Sequence, residues 1–462
     1  MSWRGRYAMS TDWSLGYDLT DRSAVGIAAA ITRRIGAGEL GVGDRLPTVR
    51  TIARELRVSA ATVSQAWQAL AASGVIVSRG RAGTFVAEGA VRQPMPSSRY
   101  WRVHPADGPA FGLDLSRGTP DPALLPAIRP ALQRLSDAAL DSDYLGETTI
   151  PELEELLRAS FPVPAERMVV LDGAMDAVDR VVRERVRFGD RVLMEDPGFP
   201  PFLDLLSRAG AQVVPVAVDT HGPVVAEVAA GLELDPTMLV LQPRAHNPTG
   251  ASMTVRRSGE LADLLSASSV LVVEDDHSGP VASAPDVTLA GRLPDHVVHI
   301  RSYSKSHGAD LRLSMVAGPA AVLDPVVDGR MLGPGWTSRL LQRLLLLMLT
   351  DRRAVSAVDR ARLTYARRAQ ALRIALADNG IDIAPADGIN VWVPVRDEAA
   401  ALVSLAAAGI TAAPGTPFRV DDVDAQHLRI TIACLREDDA ARVGAELAAA
   451  AGAEPLYPRR RG

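Results

Sequence analysis

The residue best suited to covalent chemistry is Lys305, the only lysine in a chain of 462 residues that also contains 49 arginines. A guanidinium stays protonated and is a poor nucleophile, whereas a buried ε-amine can lose its proton and attack a carbonyl carbon. Compositional drift towards arginine with one surviving lysine is the simpler explanation. The alternative is a lysine that forms a Schiff base with pyridoxal 5′-phosphate (PLP). That hypothesis requires a phosphate-binding turn, a partner for the pyridine nitrogen and an aromatic side chain that stacks on the ring.

A phosphate-binding turn is predicted at the sequence DGAMDA, which follows a predicted strand and opens a predicted helix. Phosphate groups bind at helix N-termini, where backbone N–H groups are free, and Ala174 and Met175 would supply them here. The hydroxyl groups of Ser302 and Ser304 and the guanidinium of Arg312 lie close to Lys305 in the sequence. These side chains could therefore contact the same phosphate.

Three further positions could hold the pyridine ring. Phe199, in the sequence EDPGFP, could stack on its face. A carboxylate must keep the ring nitrogen protonated, and the sequence VVEDDH offers Asp275 or Asp276, of which we prefer Asp275. Asn247, in HNPTG, could donate an amide N–H to the phenolic oxygen. Each of these residues taken alone is more often structural, but together and in this order they predict a PLP site.

The fold predicted for the larger part of the chain is α/β. From Leu113 onwards short apolar runs alternate with helical patterns, which is typical of a mainly parallel sheet with helices on both faces. Long helices follow after about residue 332, and strand-like segments at Asn390–Val395 and 428–432 predict a smaller α+β subdomain. The strands predicted for the large domain are 168–171, 191–195, 212–216, 238–242, 270–274, 297–300 and 315–317.

The N-terminal part predicts three helices followed by a basic β-hairpin, which is the pattern of a winged helix-turn-helix. The helices are expected at 23–37, at 48–56 with Pro47 at its start, and from Ser59 as N-cap to about residue 73. Strands at 75–77 and 84–86 are joined by the sequence SRGRAG. The residues expected to contact DNA are Arg50, Ser59, Thr62, Ser64 and Gln65 in the helices and Arg79, Gly80 and Arg81 in the wing.

The charge distribution agrees with a DNA-binding head. Residues 1–99 hold 13 Arg and 7 acidic residues, which gives a charge of +6, whereas the whole chain carries −5 and the remainder therefore −11. A basic module on an acidic body favours nucleic-acid binding, although a solvated surface would give the same counts. The domains predicted are a DNA-binding head at 19–87, a Pro- and Ser-containing linker at 88–112 and a PLP-binding body at 113–455.

Composition excludes several other classes of protein. Cys434 is the single cysteine, so the chain has no disulfide framework, and no Cys/His cluster in the sequence offers a metal site. The apolar run at 344–349 is far shorter than a membrane span, and the N-terminus has no secretory pattern. We therefore expect a cytoplasmic protein without a metal.

The head closely resembles the GntR-type winged helix. The family pattern G-x-L-x-x-G-x-x-L-P-[ST]-x-R-x-[IL]-A is matched from Gly38 to Ala53, and the resemblance covers residues 19–87. The family often has an arginine just after the Ser or Thr that starts the recognition helix, where this chain has Ala60 and Ala61. The resemblance implies binding to double-stranded DNA.

From Leu113 the chain resembles the fold-type I aminotransferases, with GAMDA, EDPGFP, HNPTG, VEDD and SYSKSHGADLRLS in the family's order. The resemblance implies a PLP Schiff base on Lys305, Asp275 at the pyridine nitrogen, Asn247 at the 3′ oxygen and Phe199 against the ring. Two other positions take their roles from it. Arg429, in HLRIT, would bind the carboxylate of a substrate or effector, and Tyr144 would reach the phosphate of a neighbouring subunit in a homodimer.

Two positions depart from the aminotransferase pattern. His277 stands where a tyrosine commonly bonds the 3′ oxygen, and a histidine can titrate near neutral pH. Ala174 replaces a residue that often carries a hydroxyl in the phosphate loop. Both departures favour cofactor binding over efficient transamination.

The combination of the two parts resembles the MocR family of transcriptional regulators. It implies a regulator whose body binds PLP on Lys305 and senses PLP or an amino compound. One rival is an active aminotransferase that carries a DNA-binding appendage. The other is a body that senses only free PLP and governs vitamin B6 supply.

Overall fold

The computed structural model of the protein describes residues 19, 22–36, 39–41, 43–72, 75–86, 99, 112–135, 144, 146–421 and 426–454. The chain forms two compact units, of which the first contains the residues up to Ser98 and the second contains most residues from Arg99 onwards. The predicted linker at 88–112 lies outside the described residues except for Arg99 and Gly112. No helix among the described residues is long and apolar enough to cross a membrane.

The first unit has three helices and a two-stranded antiparallel hairpin. Apolar residues from every helix meet in one core, which includes Ile27, Ile52, Val63 and Leu70. These side chains recur at helical spacing, so burying them fixes how the short helices pack. The elements are α1 (Ala24–Gly36), α2 (Val49–Leu56), α3 (Ala60–Ala72), β1 (Ile76–Ser78) and β2 (Thr84–Val86).

Two hydroxyl caps set the starts of the second and third helices. The Thr48 hydroxyl accepts a hydrogen bond from the backbone N–H of Thr51 at 3.2 Å, so α2 begins at Val49. The expectation that Pro47 starts this helix is therefore wrong by two residues, because Thr48 satisfies the free N–H group. The Ser59 hydroxyl accepts from the N–H of Thr62 at 3.0 Å, as its predicted role as N-cap requires.

The second unit is built around an eight-stranded sheet in the order β4-β11-β10-β9-β8-β5-β6-β7. Strands β10, β9, β8, β5 and β6 are parallel to one another, and β11 and β7 pair antiparallel to their neighbours. The strands are β4 (Arg167–Leu171), β5 (Arg191–Asp196), β6 (Gln212–Asp219), β7 (Gly222–Pro223), β8 (Met238–Leu241), β9 (Leu271–Asp276), β10 (Val297–Ser302) and β11 (Ser314–Gly318).

Two apolar clusters hold helices against this sheet. One joins β4 and β11 to α5 and α11 through residues such as Met168, Leu153 and Leu345. The other joins β5, β8 and β9 to α9 through residues such as Leu239 and Leu261. The helices after residue 112 are α4 (Arg129–Arg134), α5 (Pro151–Ser160), α6 (Ala174–Arg185), α7 (Pro200–Ala209), α8 (Val225–Leu232), α9 (Val255–Leu265), α10 (Ala320–Met331), α11 (Arg339–Thr350), α12 (Arg352–Asp378), α13 (Glu398–Ala407) and α14 (Ala440–Ala451).

A smaller subdomain contains a three-stranded antiparallel sheet in the order β12-β15-β14. Helices α12 and α14 contribute Leu372, Leu376 and Leu447 to a core shared with Val391 of β12 and Ile430 of β15. A separate pair of parallel strands, β3 and β13, joins the first described residues after 112 to the subdomain. The strands are β3 (Leu113–Asp114), β12 (Asn390–Val395), β13 (Ile410–Thr411), β14 (Ala413–Pro414) and β15 (Gln426–Thr431).

This architecture confirms the α/β fold class, with a mainly parallel sheet and a winged helix-turn-helix head. All seven strands predicted for the large domain are present, and their ends differ from the predicted ends by at most about three residues. The largest difference is at β6, which continues to Asp219. Its antiparallel partner β7 contains Gly222 and Pro223 and is too short to give an alternating apolar pattern.

Candidate functional site

The carboxyl ends of the parallel strands bring the predicted site residues to one edge of the sheet. Ligands of open α/β sheets bind at this edge because the loops that leave it are free of strand pairing. The turn at Gly173 follows β4, Phe199 follows β5, Asn247 follows β8 and Lys305 follows β10. Asp275 lies near the end of β9, whose residues are all buried. The strand order therefore brings together side chains that are far apart in the sequence.

Lys305 is partly buried, and its amine donates a hydrogen bond to the backbone carbonyl of Gly118. Burial, together with the positive charge of Arg429, lowers the pKa of the amine from 10.5 to about 8, although Asp275 opposes the shift. At pH 7 the neutral fraction is then roughly one in ten, compared with roughly one in three thousand for an ordinary lysine. The protein therefore holds its single lysine close to its nucleophilic form.

The lowered pKa predicts the pH dependence of PLP attachment. Because only the neutral amine attacks the aldehyde, the rate constant should rise with pH up to about 8 and level off above it. Stopped-flow absorbance of the purified protein mixed with PLP measures this profile. Replacement of Arg429 by Leu removes the neighbouring charge, so the plateau should move to higher pH. A rate that keeps rising to about pH 10 in the wild type would contradict the assignment.

The two consecutive aspartates at the end of β9 have opposite environments. Asp276 is neutralised by the guanidinium of Arg244 at 2.6 Å and that of Arg301 at 3.2 Å, and both lower its pKa. Asp275 accepts one hydrogen bond, from Gln242 at 2.8 Å, and its other oxygen has no partner among the described residues. Burial raises the pKa of Asp275 to about 7. Asp275 is therefore the carboxylate that has an oxygen to offer, whereas Asp276 has a structural role.

A group of possible metal ligands lies beside this ion-pair network. Oxygen and nitrogen atoms of Asp276, Asp286 and His299 lie within 4.8 Å of one another in the part of the chain that the structure describes. The guanidinium of Arg301 contacts both carboxylates, and Arg244 lies 3.7 Å from Asp286. These positive charges already neutralise the two acids, so the group is an ion-pair network rather than a metal site.

Gln242 is a site residue that the sequence did not single out. Its amide group donates to Asp275, and its carbonyl oxygen accepts from the backbone N–H of Asn247 at 2.8 Å. Its own backbone N–H donates to the buried carboxyl of Glu195 at 2.7 Å. Gln242 thus positions two of the residues predicted to contact the ring, Asp275 and Asn247. It lies within the sequence QPRAHNPTG, but a glutamine that follows a strand gives no sequence signal of this role.

Replacement of Gln242 by Leu should weaken PLP binding. The variant leaves Asp275 and the Asn247 N–H without these hydrogen bonds, at a cost of about 1–3 kcal/mol each. We expect PLP affinity, measured by absorbance titration, to fall about tenfold. Gln342 is the control, because it is a buried glutamine whose partners are the backbone groups of Thr148, Ile150 and Thr337. Gln342→Leu should lower stability and leave PLP affinity unchanged, and equal affinity losses in both variants would contradict a positioning role.

The predicted phosphate turn has the geometry of an anion cradle. Gly173 has a φ of 94°, which favours glycine, and a Cβ atom there would lie 2.9 Å from the Arg312 guanidinium. Helix α6 begins at Ala174, followed by Met175, which leaves their N–H groups at the helix N-terminus. The guanidinium of Arg312 lies 3.4 Å from the carbonyl of Asp172. A phosphate at this turn would meet backbone N–H groups and a positive charge together.

The two serines of SYSK precede the lysine, Ser302 at the end of β10 and Ser304 in the turn that follows. Ser302 is buried at the end of β10, and its hydroxyl accepts from the backbone N–H of Ser304 at 3.2 Å. This bond fixes the turn that leads into Lys305. The role of either serine in phosphate binding stays a prediction.

Phe199, Asn247 and His277 lie in the loops that follow β5, β8 and β9. Phe199 is half-buried and contacts Phe202 edge to face at 5.3 Å, and the side-chain oxygen of Asn247 is buried without a partner among the described residues. The Nε2 atom of His277 lies 2.8 Å from the carbonyl of Ala245 and therefore carries the hydrogen. Burial lowers the pKa of His277 to about 4. The expectation that His277 titrates near neutral pH is wrong, because the buried ring stays neutral.

Arg429 and Tyr144 occupy contrasting environments. Arg429 is 2% exposed on β15, and its guanidinium donates to the carbonyl of Ser116, close in the chain to the Gly118 carbonyl that holds Lys305. Tyr144 is 78% exposed, and its ring lies 5.9 Å from that of Trp336. Its exposure agrees with the predicted contact to a second subunit, which stays a prediction.

The residues present fit PLP. Asp275 offers an unpartnered buried oxygen, the turn at Gly173 offers an anion cradle, and Lys305 offers an amine that is easily deprotonated. When bound, PLP supplies an aldehyde and an electron-withdrawing ring. The turn at Gly173 would then bind its phosphate, Asp275 would hold the proton on its ring nitrogen, and Lys305 would present a neutral amine.

Several of the residues predicted to contact DNA are exposed in the first unit. Arg50 and Gln65 are exposed, whereas Ser64 is half-buried. The hydroxyls of Ser59 and Thr62 lie 2.8 Å apart in the cap of α3, so part of their hydrogen-bonding capacity is used there. The exposed Ala60 and Ala61 leave backbone and methyl groups at the start of this helix.

The tip of the hairpin is a compact turn with a positive charge. The guanidinium of Arg79 lies 5.3 Å from the ring centroid of Phe85, and Gly80 has a φ of 57°. The side chain of Arg81 lies outside the described part of the structure. A charged hairpin of this kind suits contacts to DNA phosphates.

Comparisons with known proteins agree with both parts of the chain. Residues 24–86 match the family of bacterial regulatory proteins of the gntR type. Residues 112–446 match the class I and II aminotransferases. A winged helix joined to a fold-type I body defines a class of PLP-linked transcriptional regulator.

Two transcriptional regulators are similar to this chain over most of its length. The vitamin B6 salvage pathway transcriptional repressor PtsJ of Salmonella typhimurium is 34% identical over 433 residues, which cover 92% of this chain and 98% of that protein. The HTH-type transcriptional regulator TauR of Rhodobacter capsulatus is 30% identical over 434 residues, covering 84% and 88%. The chain belongs to the MocR-type family of transcriptional regulators, in which a GntR-type head is joined to an aminotransferase-like body.

Solved aminotransferases share the fold of the body. The α-aminoadipate aminotransferase LysN of Thermus thermophilus has a TM-score of 0.66 at 21% identity, with 74% of this chain and 92% of that chain covered. The aspartate aminotransferase of Thermus thermophilus has a TM-score of 0.65 at 22% identity, with the same shares of 74% and 92% covered. The fold-type I architecture predicted for the body is therefore confirmed.

Proposed function

We propose that this regulator binds PLP covalently at Lys305 and that occupancy of this site changes how its heads bind DNA. The observation that carries the proposal is the combination of a PLP-compatible site around the single lysine with a winged helix in the same chain. The domains proposed are the head at 19–87, the linker at 88–112 and the body at 113–455. The ligand is PLP itself or an amino compound that reacts with the bound cofactor.

Two features support PLP itself as a signal. The Salmonella relative is described as a repressor of a vitamin B6 salvage pathway. In addition, neither His277 nor Ala174 supplies the hydroxyl that aminotransferases commonly have at these positions, and His277 stays neutral near pH 7. A body that binds PLP without rapid turnover is suited to report how much PLP is present. For an amino effector, the buried guanidinium of Arg429 is the proposed carboxylate partner.

The functional unit proposed is a cytoplasmic homodimer. The exposed Tyr144 and its neighbour Trp336 would meet the second subunit, and two heads would bind two DNA half-sites. A ligand can regulate DNA binding only if the dimer has two arrangements of its heads and the ligand binds the protein more tightly in one arrangement than in the other.

A DNA-binding titration of the full-length protein tests the proposal. The probe is a DNA fragment that the purified protein selects from a random pool, and it is titrated without ligand, with PLP, and with PLP plus amino acids. We expect a change of about fivefold or more in DNA affinity in at least one liganded state. Equal affinity in all three states would refute regulation by this site. Many turnovers in which an amino donor and a 2-oxo acid acceptor exchange their amino group would instead identify an active aminotransferase.

A further inference from the structure

Arg99, within the predicted linker, connects two parts of the body. The backbone N–H of Arg99 donates to the Asp204 carboxylate on α7 at 2.9 Å. Its guanidinium donates to the carbonyl of Arg419, in the smaller subdomain, also at 2.9 Å. Arg99 is half-buried. A single linker residue thus contacts the large domain and the subdomain together.

The segment that Arg99 contacts, residues 415–420, also contacts the turn that carries Phe199. The backbone N–H of Gly198 donates to the carbonyl of Phe418 at 2.8 Å. On the other side of Phe418, the N–H of Val420 donates to the Asp196 carboxylate at 3.0 Å. The 415–420 segment is therefore joined by hydrogen bonds to the residues immediately before the ring-stacking position.

The same segment contacts the proposed effector-binding arginine. Phe418 is fully buried, and the guanidinium carbon of Arg429 lies 5.2 Å from its ring centroid. This distance is within the range of cation–π attraction, so a change in the position of Arg429 alters the packing of Phe418. Two of the ligand-contacting residues predicted from the sequence, Phe199 and Arg429, thus adjoin the segment whose Arg419 carbonyl accepts the hydrogen bond from Arg99.

We propose that Arg99 couples the occupancy of the PLP site to the linker and hence to DNA binding. The inference rests on the proposed function. A ring against Phe199 or a carboxylate on Arg429 favours one position of the 415–420 segment over another. Because the Arg99 guanidinium is bonded to this segment and its N–H to α7, that preference reaches the linker itself. The coupling is a difference in free energy between two states, as regulation requires.

Arg99→Gln tests the proposal in the full-length protein. Glutamine shortens the side chain and removes its charge, so the bond to the Arg419 carbonyl is lost; lysine is unsuitable because it adds a second amine that can react with PLP. Arg256→Gln is the control, since Arg256 is exposed on α9 and pairs with Glu260 of the same helix. DNA affinity is measured with and without PLP, and PLP affinity is measured by absorbance.

We expect Arg99→Gln to bind PLP with an affinity within about twofold of the wild type. The change in DNA affinity that PLP causes should fall from about fivefold or more in the wild type to less than about twofold in the variant. Arg256→Gln should retain the wild-type change. Hydrogen exchange provides a second measurement, because PLP should change the protection of the backbone amide at position 99 in the wild type and not in Arg99→Gln. If Arg99→Gln responds to PLP as the wild type does, the inference is overturned. If the wild type itself shows no response, the proposed function fails and the coupling fails with it.

Discussion

Replacement of Lys305 by Ala is expected to abolish the visible absorption band that PLP gives on the protein and to weaken PLP binding by about 100-fold or more. The chain has no other lysine, so no second ε-amine can take over the covalent bond. The phosphate turn and Asp275 remain in the variant, which should therefore still bind PLP weakly and without the band.

A second variant separates loss of the amine from loss of the fold. Lys305→Arg keeps a positive charge beside the Gly118 carbonyl, but a guanidinium does not form the bond. Both variants should lose the band and keep a far-ultraviolet circular dichroism spectrum like that of the wild type. A visible band retained by either variant would remove Lys305 from its assigned role.

Asp275→Asn is expected to weaken PLP binding by about tenfold to 100-fold while stabilising the cofactor-free protein above about pH 7. Asparagine can still accept a hydrogen bond from Gln242 but cannot neutralise a protonated pyridine nitrogen. Burial raises the pKa of Asp275 to about 7 in the folded protein, above its value of about 4 in an unfolded chain. The folded protein therefore binds this proton more tightly, and the aspartate costs stability as pH rises from about 4 to about 7.

Thermal unfolding of the cofactor-free variant and wild type at several pH values measures this difference. The advantage of Asn at position 275 should be largest above about pH 7 and should vanish near pH 4. Asp276→Asn is the matched control, because Asp276 pairs with Arg244 and Arg301 in the same strand end. Breaking that buried network should cost about 3–5 kcal/mol. Similar stability changes in the two variants would contradict the opposite environments of these neighbouring acids.

The sequence was sufficient to predict the strands of the large domain and several residues that the structure brings to one edge of the sheet. Buried parallel strands are mostly apolar, so three acidic residues at the end of β9, in the sequence VVEDDH, stand out. The single lysine identified this edge as the candidate site, because arginine cannot form a Schiff base in its place. Ser59 was identified as an N-cap for a similarly local reason, since capping depends on a few adjacent residues.

Contacts between distant segments could not be predicted in this way. Gln242 meets Asp275 across 33 positions and Arg99 meets Arg419 across 320 positions, and neither pair has a periodic pattern. The electrostatic state of His277 was also beyond the sequence, because its pKa is determined mainly by burial among residues that only the fold brings together. The residue types alone left Asp276 as an alternative to the preferred Asp275, and the ion pairs of Asp276 with Arg244 and Arg301 distinguish the two acids.

The most direct test compares the DNA affinity of the full-length wild type and of Lys305→Ala, each without PLP and at the lowest PLP concentration that saturates the wild type, which leaves the variant largely free of PLP. The wild type should change its DNA affinity by about fivefold or more when PLP is added, whereas Lys305→Ala should change by less than about twofold and still bind the same DNA. That result would show that PLP binding at Lys305 in the body changes the affinity of the head for DNA. A wild-type response that persists in Lys305→Ala, or a wild type that does not respond to PLP, would contradict it.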